Sequence, residues 1–388
     1  MTDIPSPIFL DNASTTPLRK EALDAMMPYL TDSYANPSSS HRMAKGPREA
    51  CVAAKRKIAS VINASYFEIF ITSGGTESDN WAIKSGAASN PAKGRHVIVS
   101  AIEHHAIIES AKWLERHGYD VTFLGVDEYG TVDLDDLKDN IRDDTVLVSI
   151  MTANNEIGTI EPIAEIGRIC RERGILFHTD AVQAFGHIPL DVKEMNIDLL
   201  SASAHKFGGP KGVGFLYKRK DVKLESFMDG GAQEDGQRAG TTNVPGIVGM
   251  GVAAELSANE MESAAEKMLP MREHCIKRIM EEIPDAKLNG HPSKRLPGNV
   301  NFTFTGIGAA ACGLPMLMNS NNICISTGSA CAASSSEPSH VITAIGVPRE
   351  WANGTIRITL SERNTVEEID RTIDVLKESV GRLRAIKM

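Results

Sequence analysis

Between residues 67 and 217 the chain repeats one theme: a short β-rich run, a polar or glycine-containing turn, then a helical stretch. The runs are Phe67–Thr72, His96–Ser100, Val121–Leu124, Val146–Met151, Ile175–Thr179, Leu199–Ser203 and Gly214–Tyr217. Several are apolar at consecutive rather than alternate positions, so both faces of those strands must be covered. Between them, Glu77–Ala88, Ala106–His117, Leu134–Asn140 and Ile163–Arg173 carry apolar residues three and four apart, the spacing of one helix face. Gly118 and Gly174 follow two of these stretches, where a helix end favours a residue tolerant of positive φ. The expected class is α/β, a doubly wound, mostly parallel sheet with helices on both faces and an antiparallel strand at Gly214–Tyr217.

After about residue 255 the pattern changes. A long helical stretch, Glu255–Ile283, contains Pro270, which predicts a kink or break. Strands follow near Asn299–Thr305, Ile323–Ser326 and Thr355–Leu360. A last helix opens with the capping box Thr365-x-x-Glu368 and carries the stripe Val366, Ile369, Ile373, Leu376, Val380, Leu383. The predicted division is a large domain over 16–260 and a smaller α+β domain built from 1–15 and 261–388.

The net charge of -9 at pH 7 argues against nucleic-acid binding, which needs clustered Lys and Arg. The N-terminus lacks the basic start and apolar run of a secretory signal, and no apolar stretch approaches the ~18 residues of a membrane span. Six scattered cysteines (51, 170, 275, 312, 324, 331) form no CxxC pair, neither a disulfide framework nor a zinc knuckle. A reducing, cytoplasmic setting is the expectation. Cys324, in a strand-like run, reads as buried.

Ligands of open α/β sheets sit beyond the carboxyl ends of the strands, and polar residues cluster there in this chain. The first run leads into Ser73-Gly74-Gly75-Thr76-Glu77, a turn opening a helix, whose free N–H groups favour an anion. Others lead into Glu103-His104-His105, Asn154-Asn155-Glu156, Asp180 with Gln183, and Ser203-Ala204-His205-Lys206. A phosphate-binding helix start, a carboxylate at one strand end and a lysine at the next are what pyridoxal phosphate requires. The carboxylate keeps the pyridine nitrogen protonated, the lysine condenses with the aldehyde, and a histidine can stack on the ring. A metal site at His178-x-Asp180 would leave Lys206 and the Gly75-Thr76 turn without a role, so no metal is expected. In the second domain, Ser326 to Ser336 is a run of small residues around Cys331, a poor core and a good place for an exposed, reactive thiol.

From Phe9-Leu10-Asp11-Asn12-Ala13 to the last helix, the chain resembles the cysteine desulfurases of the iron–sulfur-cluster and nitrogenase-maturation group. These belong to the class-V branch of the fold-type-I pyridoxal-phosphate enzymes. The matching motifs are Asn36 to His41, Thr72 to Ser78, Asn154 to Gly158, His178 to Gln183, Ser203 to Lys206, Arg238 to Thr241 and Ser326 to Cys331. The resemblance implies that Lys206 holds the cofactor and later serves as acid–base group. It implies that Asp180 pairs with the ring nitrogen, His104 stacks, and Gln183 and Asn155 orient ring and substrate. Gly75, Thr76, Ser203 and His205 would hold the phosphate, joined by Thr241 from the second subunit of a homodimer. Arg357 and Asn36 would clamp the substrate carboxylate, and Cys331, in a loop over about 326–337, would take the sulfur of L-cysteine as a persulfide, leaving alanine. The implied partner is a protein sulfur acceptor such as an iron–sulfur scaffold. Selenocysteine lyase, class-V aminotransferase and a non-enzymatic sulfur-trafficking scaffold are the alternatives. Four departures stand out. Gly75 replaces the usual Ala and Ala204 the usual Gly. The Thr305–Asn319 segment lacks the acidic pattern of many relatives. The chain stops at Met388, where many relatives continue with a docking tail.

Overall fold

The computed structural model describes residues 6–307, 313–327 and 338–386. Its strands are β1 (Ile8–Phe9), β2 (Ile69–Thr72), β3 (His96–Ser100), β4 (Asp120–Leu124), β5 (Thr145–Ser149), β6 (Leu176–Asp180), β7 (Leu199–Ser203), β8 (Gly214–Lys218), β9 (Ala286–Leu288), β10 (Asn299–Phe304), β11 (Ile323–Cys324) and β12 (Thr355–Thr359). Seven form one sheet in the order β2-β8-β7-β6-β5-β3-β4. Pairings β4–β3, β3–β5, β5–β6 and β6–β7 are parallel, and β8 runs antiparallel to both neighbours.

Alternate residues of one strand face opposite sides, and here both sides are core. Ile69 and Ile71 pack with Ala54, Ile58, Ile247 and Met250, while Phe70 between them packs on Trp81 and Leu216. That double burial is why the runs read as continuously apolar. The helix Gly75–Ala88 buries nine residues, Trp81, Ala82 and Ile83 among them, and so shows only a weak polar face.

A three-stranded antiparallel layer, β12-β10-β9, stands apart. Phe302, Phe304, Ile356 and Ile358 pack there with Ile369, Ile373, Leu376, Val380 and Leu383 of the helix Val366–Ile386. Val366 is exposed and takes no part in that stripe. The capping box forms: Thr365 N–H donates to Glu368 Oε2 at 3.2 Å, and Glu368 N–H to Thr365 Oγ1 at 3.3 Å. β1 pairs with β11, and Asp11 bridges Thr359, so the chain start joins this layer before residues 13–16 pass to the large sheet.

Pro270 does not break the long helix, which rules out one of the two outcomes expected from the sequence, a kink or a break. One α-helix runs Val244–Glu282, 39 residues, about 58 Å at 1.5 Å per residue. Pro270 and Glu266 are exposed, on the solvent side of the helix, where the helix bond lost at a proline costs less than in a core. Its first turns were obscured by Gly246, Gly249 and Gly251. A Cβ at Gly249 would lie 2.6 Å from Met26 Sδ, and one at Gly251 2.7 Å from Ala54 Cα. Close helix–helix approach there outweighs poor helix propensity. Cys324 is half-buried rather than buried.

Candidate active site

Because β2, β3, β5, β6 and β7 point the same way, the segments leaving their carboxyl ends converge. They enclose a cavity of about 230 Å³. Ten residues anticipated from the sequence line it: Gly75, Thr76, His104, Asn155, Asp180, Gln183, Ser203, His205, Lys206 and Arg357. Asn36 and Thr241 do not; both are exposed. Asn36 closes a local turn, its Oδ1 accepting from Ser38 N–H at 2.9 Å. Cys331 and Cys312 lie outside the described residues.

At one end, Gly75 begins a 14-residue helix. Gly74 adopts φ +156°, and a Cβ on Gly214 would lie 2.7 Å from Gly74 Cα, so the turn and β8 touch backbone to backbone. A Cβ on Gly75 would stand 2.6 Å from Val182 Cγ2. Glycine therefore suits this position, where a side chain would press on Val182. Helix N–H groups, the hydroxyls of Thr76 and Ser203, and His205 supply donors for a phosphate.

At the other end, Asp180 is 5% exposed. Burial pushes its carboxyl up to about 6, against the pull of the Val182 N–H (2.8 Å to Oδ1) and the Lys206 charge. A buried carboxyl with one N–H partner is suited to a cationic N–H in the cavity. Lys206, on the turn leaving β7, donates from Nζ to the carbonyls of Ala13 at 2.6 Å and Ser14 at 2.9 Å. Gln183 Nε2 donates to the same Ala13 carbonyl at 2.9 Å.

His104 caps the helix His105–Arg116, its Nδ1 accepting from Ala106 N–H at 3.1 Å, which leaves the ring proton on Nε2. Burial, then the Lys206, His105 and His340 charges, bring it down to about 4, so the ring is neutral near pH 7. His205 is brought down to about 4 by burial and then Lys206 and Lys211. His178 lies beneath the site with both ring nitrogens engaged, by Ser149 Oγ at 2.8 Å and Ser201 Oγ at 3.0 Å.

Sequence reasoning missed three contributions. Asp11 and Ser14 hold Arg357 Nη2 at 2.9 and 2.8 Å. Asp79, on the buried side of the Gly75 helix, also lines the cavity. The Asn154–Gly158 turn is held by the three-stranded layer and its neighbours. The Asn155 carbonyl accepts from Arg357 Nη1 (2.8 Å), that of Glu156 from Asn299 and Asn301 Nδ2 (3.1 Å each), and that of Ile157 from Arg295 Nη2 (2.7 Å). The Glu156 carboxylate accepts from Ser339 Oγ at 2.7 Å. The phosphate donors, the buried carboxyl, the amine, the neutral histidine ring and the side-chain-free Gly75 together fit pyridoxal phosphate.

Residues 8–372 match the aminotransferase class-V family. A cysteine desulfurase named IscS from Methanosarcina thermophila is 53% identical over 97% of this chain and 93% of its own. A solved NifS-like protein superposes with TM-score 0.90 at 37% identity, covering 97% of this chain and 100% of that one. A structure described as SspA in complex with cysteine gives 0.81 at 37% identity, over 92% and 100%. The chain belongs to the aminotransferase class-V family, in its cysteine desulfurase branch.

Proposed function

We propose that the cavity is the active site in which this pyridoxal-phosphate-dependent cysteine desulfurase removes sulfur from L-cysteine and passes it to Cys331. One observation carries the reading: Lys206, Asp180, the Gly75-Thr76 helix start and Arg357 line a single cavity. Bound there, pyridoxal phosphate supplies an aldehyde for amines and a ring that accepts electrons.

The residues divide the work. Gly75, Thr76, Ser203 and His205 would hold the phosphate, Asp180 the ring nitrogen, and Gln183 and Asn155 would set orientation, with neutral His104 available to stack on the ring. Arg357 takes the substrate carboxylate, and Asp11 keeps its guanidinium aimed. Lys206, whose amine lines the cavity, would accept and return the proton of the substrate carbon. The Cys331 thiolate attacks the substrate sulfur. An S–S bond forms as the C–S bond breaks, its electron pair stays with carbon, and a proton completes alanine. Three other cysteines suit this poorly: burial pushes the thiols of Cys51 and Cys275 up to about 12 and raises that of Cys170, so they are scarcely ionised.

In this reading the large domain spans 16–260, and 1–15 with 261–388 form the small one. The molecule is a homodimer, with Thr241 reaching the phosphate of the partner's site. The exposed stripe Leu23, Met27, Leu30 and Tyr34 (43%, 46%, 56% and 70%) supports an interface. Among the described residues no helix is long and apolar enough to cross a membrane. A reducing compartment such as the cytoplasm suits a thiol nucleophile, and a protein acceptor such as an iron–sulfur scaffold suits a persulfide product. The test is product analysis. L-cysteine should yield alanine and sulfane sulfur in equal amounts without a keto acid. Keto-acid-dependent amino transfer would indicate an aminotransferase, and turnover of L-selenocysteine alone a selenocysteine lyase.

A further inference from the structure

Three carboxyl groups are buried around the inner wall of the site. Asp79 is 1% exposed, Glu103 0% and Asp180 5%. Asp79 and Asp180 line the cavity, while Glu103 precedes His104 in the segment leaving β3. Buried carboxylates need a cation or several donors to remain charged.

Their surroundings differ. Asp180 has the Val182 N–H and the Lys206 charge. For Asp79, Oδ1 is buried without a hydrogen-bond partner among the described residues. Its nearest basic group is His178, whose Nε2 stands 3.8 Å away, too far for a hydrogen bond. That imidazole is held between two serine hydroxyls, and burial brings it down to about 3, so it is neutral. Glu103 Oε1 accepts from Ser100 Oγ at 2.6 Å and Met151 N–H at 2.8 Å, while Oε2 is buried without a partner among the described residues.

The groups facing these carboxyls can be named element by element. The Gly75 helix brings Asp79, the β3 exit Ser100, Glu103 and His104, β5 Ser149, β6 His178 and Asp180, β7 Ser201, and the next turn Lys206; Glu161 acts on Glu103, and Arg357 of β12 lines the same cavity with its guanidinium paired to Asp11. Of the two cations, Lys206 acts on Asp180, whereas Arg357 is paired with Asp11. Burial and the neighbouring acids Asp180 and Glu103 raise Asp79; burial, with Asp180 and Glu161, raises Glu103. The Ser201 hydroxyl opposes the shift at Asp79 without reversing it.

We infer that Asp79 and Glu103 are positioning residues held as uncharged carboxylic acids, so that the three buried carboxyls carry one negative charge and Asp180 bears it. One anion then faces one ring cation. A second anion at Asp79 would push a proton onto Asp180 and weaken its hold on the ring nitrogen. The role of Asp180 rests on the cofactor reading above, whereas the proton count is a property of the protein itself.

Infrared spectroscopy of the purified holoenzyme near pH 7 reads the proton count directly. Wild type should show carbonyl bands of three buried, protonated carboxylic acids, those of Asp79 and Glu103 beside that of Glu161, whose carboxyl burial pushes up to about 8. Asp79→Asn and Glu103→Gln, which keep shape and neutrality, should each lose one band, and Asp180→Asn none. In equilibrium dialysis, Asp79→Asn should hold the cofactor within about threefold of wild type, and Asp180→Asn should weaken it by about tenfold or more. Absence of the Asp79 and Glu103 bands from wild type overturns the inference, as does an Asp79→Asn loss of cofactor binding equal to that of Asp180→Asn. Unchanged cofactor binding in Asp180→Asn with the bands intact would instead overturn the cofactor reading. If a variant fails to fold, pH titration of the wild-type bands decides. Persistence above neutrality of bands beyond the single one of Glu161 supports the inference, and their loss near the ordinary carboxylate range of about 4 overturns it.

Discussion

Lys206 Nζ is held 2.6 Å from the Ala13 carbonyl and 2.9 Å from that of Ser14, which aims the ammonium at the cavity through backbone atoms no motif displays. Lys206→Ala should abolish the visible absorbance of bound cofactor, leave the phosphate end weakly held, and lower alanine formation by at least about 10²–10⁴-fold; normal absorbance with normal turnover would remove it from this role. The strand-end residues were legible because each follows an apolar run, where α/β sheets gather their ligands. Asp79 was not, since a polar residue four positions into a helix reads as solvated until the helix proves to be buried. Another buried acid allows a pH test away from the site. Glu161 accepts from Val132 N–H at 3.0 Å, and burial pushes it from 4.5 up to about 8. With its folded value raised, its stabilisation is complete below 4.5 and is lost as pH rises through about 8. Denaturation of wild type against Glu161→Gln should show wild type losing stability relative to the variant across that window; a pH-independent difference would contradict it.

At the scale of elements, the Asn154–Gly158 turn links the substrate residues to the three-stranded layer. Its successive carbonyls are taken by Arg357, by Asn299 and Asn301, and by Arg295, and Gly158, at φ +78°, gives the turn its backbone form. Asn301→Ala would take one of the two partners of the buried Asn289 amide, leaving Thr303 Oγ1, and weaken the hold on Glu156. The expected cost is about 1–3 kcal/mol in chemical denaturation, with KM for L-cysteine rising more than kcat falls because Asn155 and Arg357 lose their bearing. Unchanged KM and stability would show that the other contacts suffice. None of this was visible in the sequence, where Asn299 and Asn301 are alternate residues of a strand. The helix Val244–Glu282 was half legible for a related reason. Its glycines answer to neighbouring helices and its proline to solvent, neither of which one-dimensional periodicity records.

In the whole molecule, the α/β class and the antiparallel β8 could be read ahead, because double burial writes itself into consecutive apolar residues. The order of strands could not, since it depends on which crossovers pack. Thr241 and Asn36 mark what one chain leaves open, for both are exposed and neither lines the cavity. In a dimer that shares sites, Lys206→Ala mixed with a disruptive Thr241→Trp should regain activity, one working site per heterodimer. A fully active monomer in sedimentation would contradict it. The central claim joins the cavity to a thiol in a different part of the chain, and one measurement addresses it most directly: anaerobic incubation with L-cysteine alone, followed by intact mass, peptide mapping and alanine assay. Wild type should gain one sulfur atom, on the peptide containing Cys331, with one equivalent of alanine, while Cys331→Ser binds cofactor and L-cysteine yet gains no sulfur and releases no alanine. Release of alanine from L-cysteine by Cys331→Ser at the wild-type rate would contradict the account.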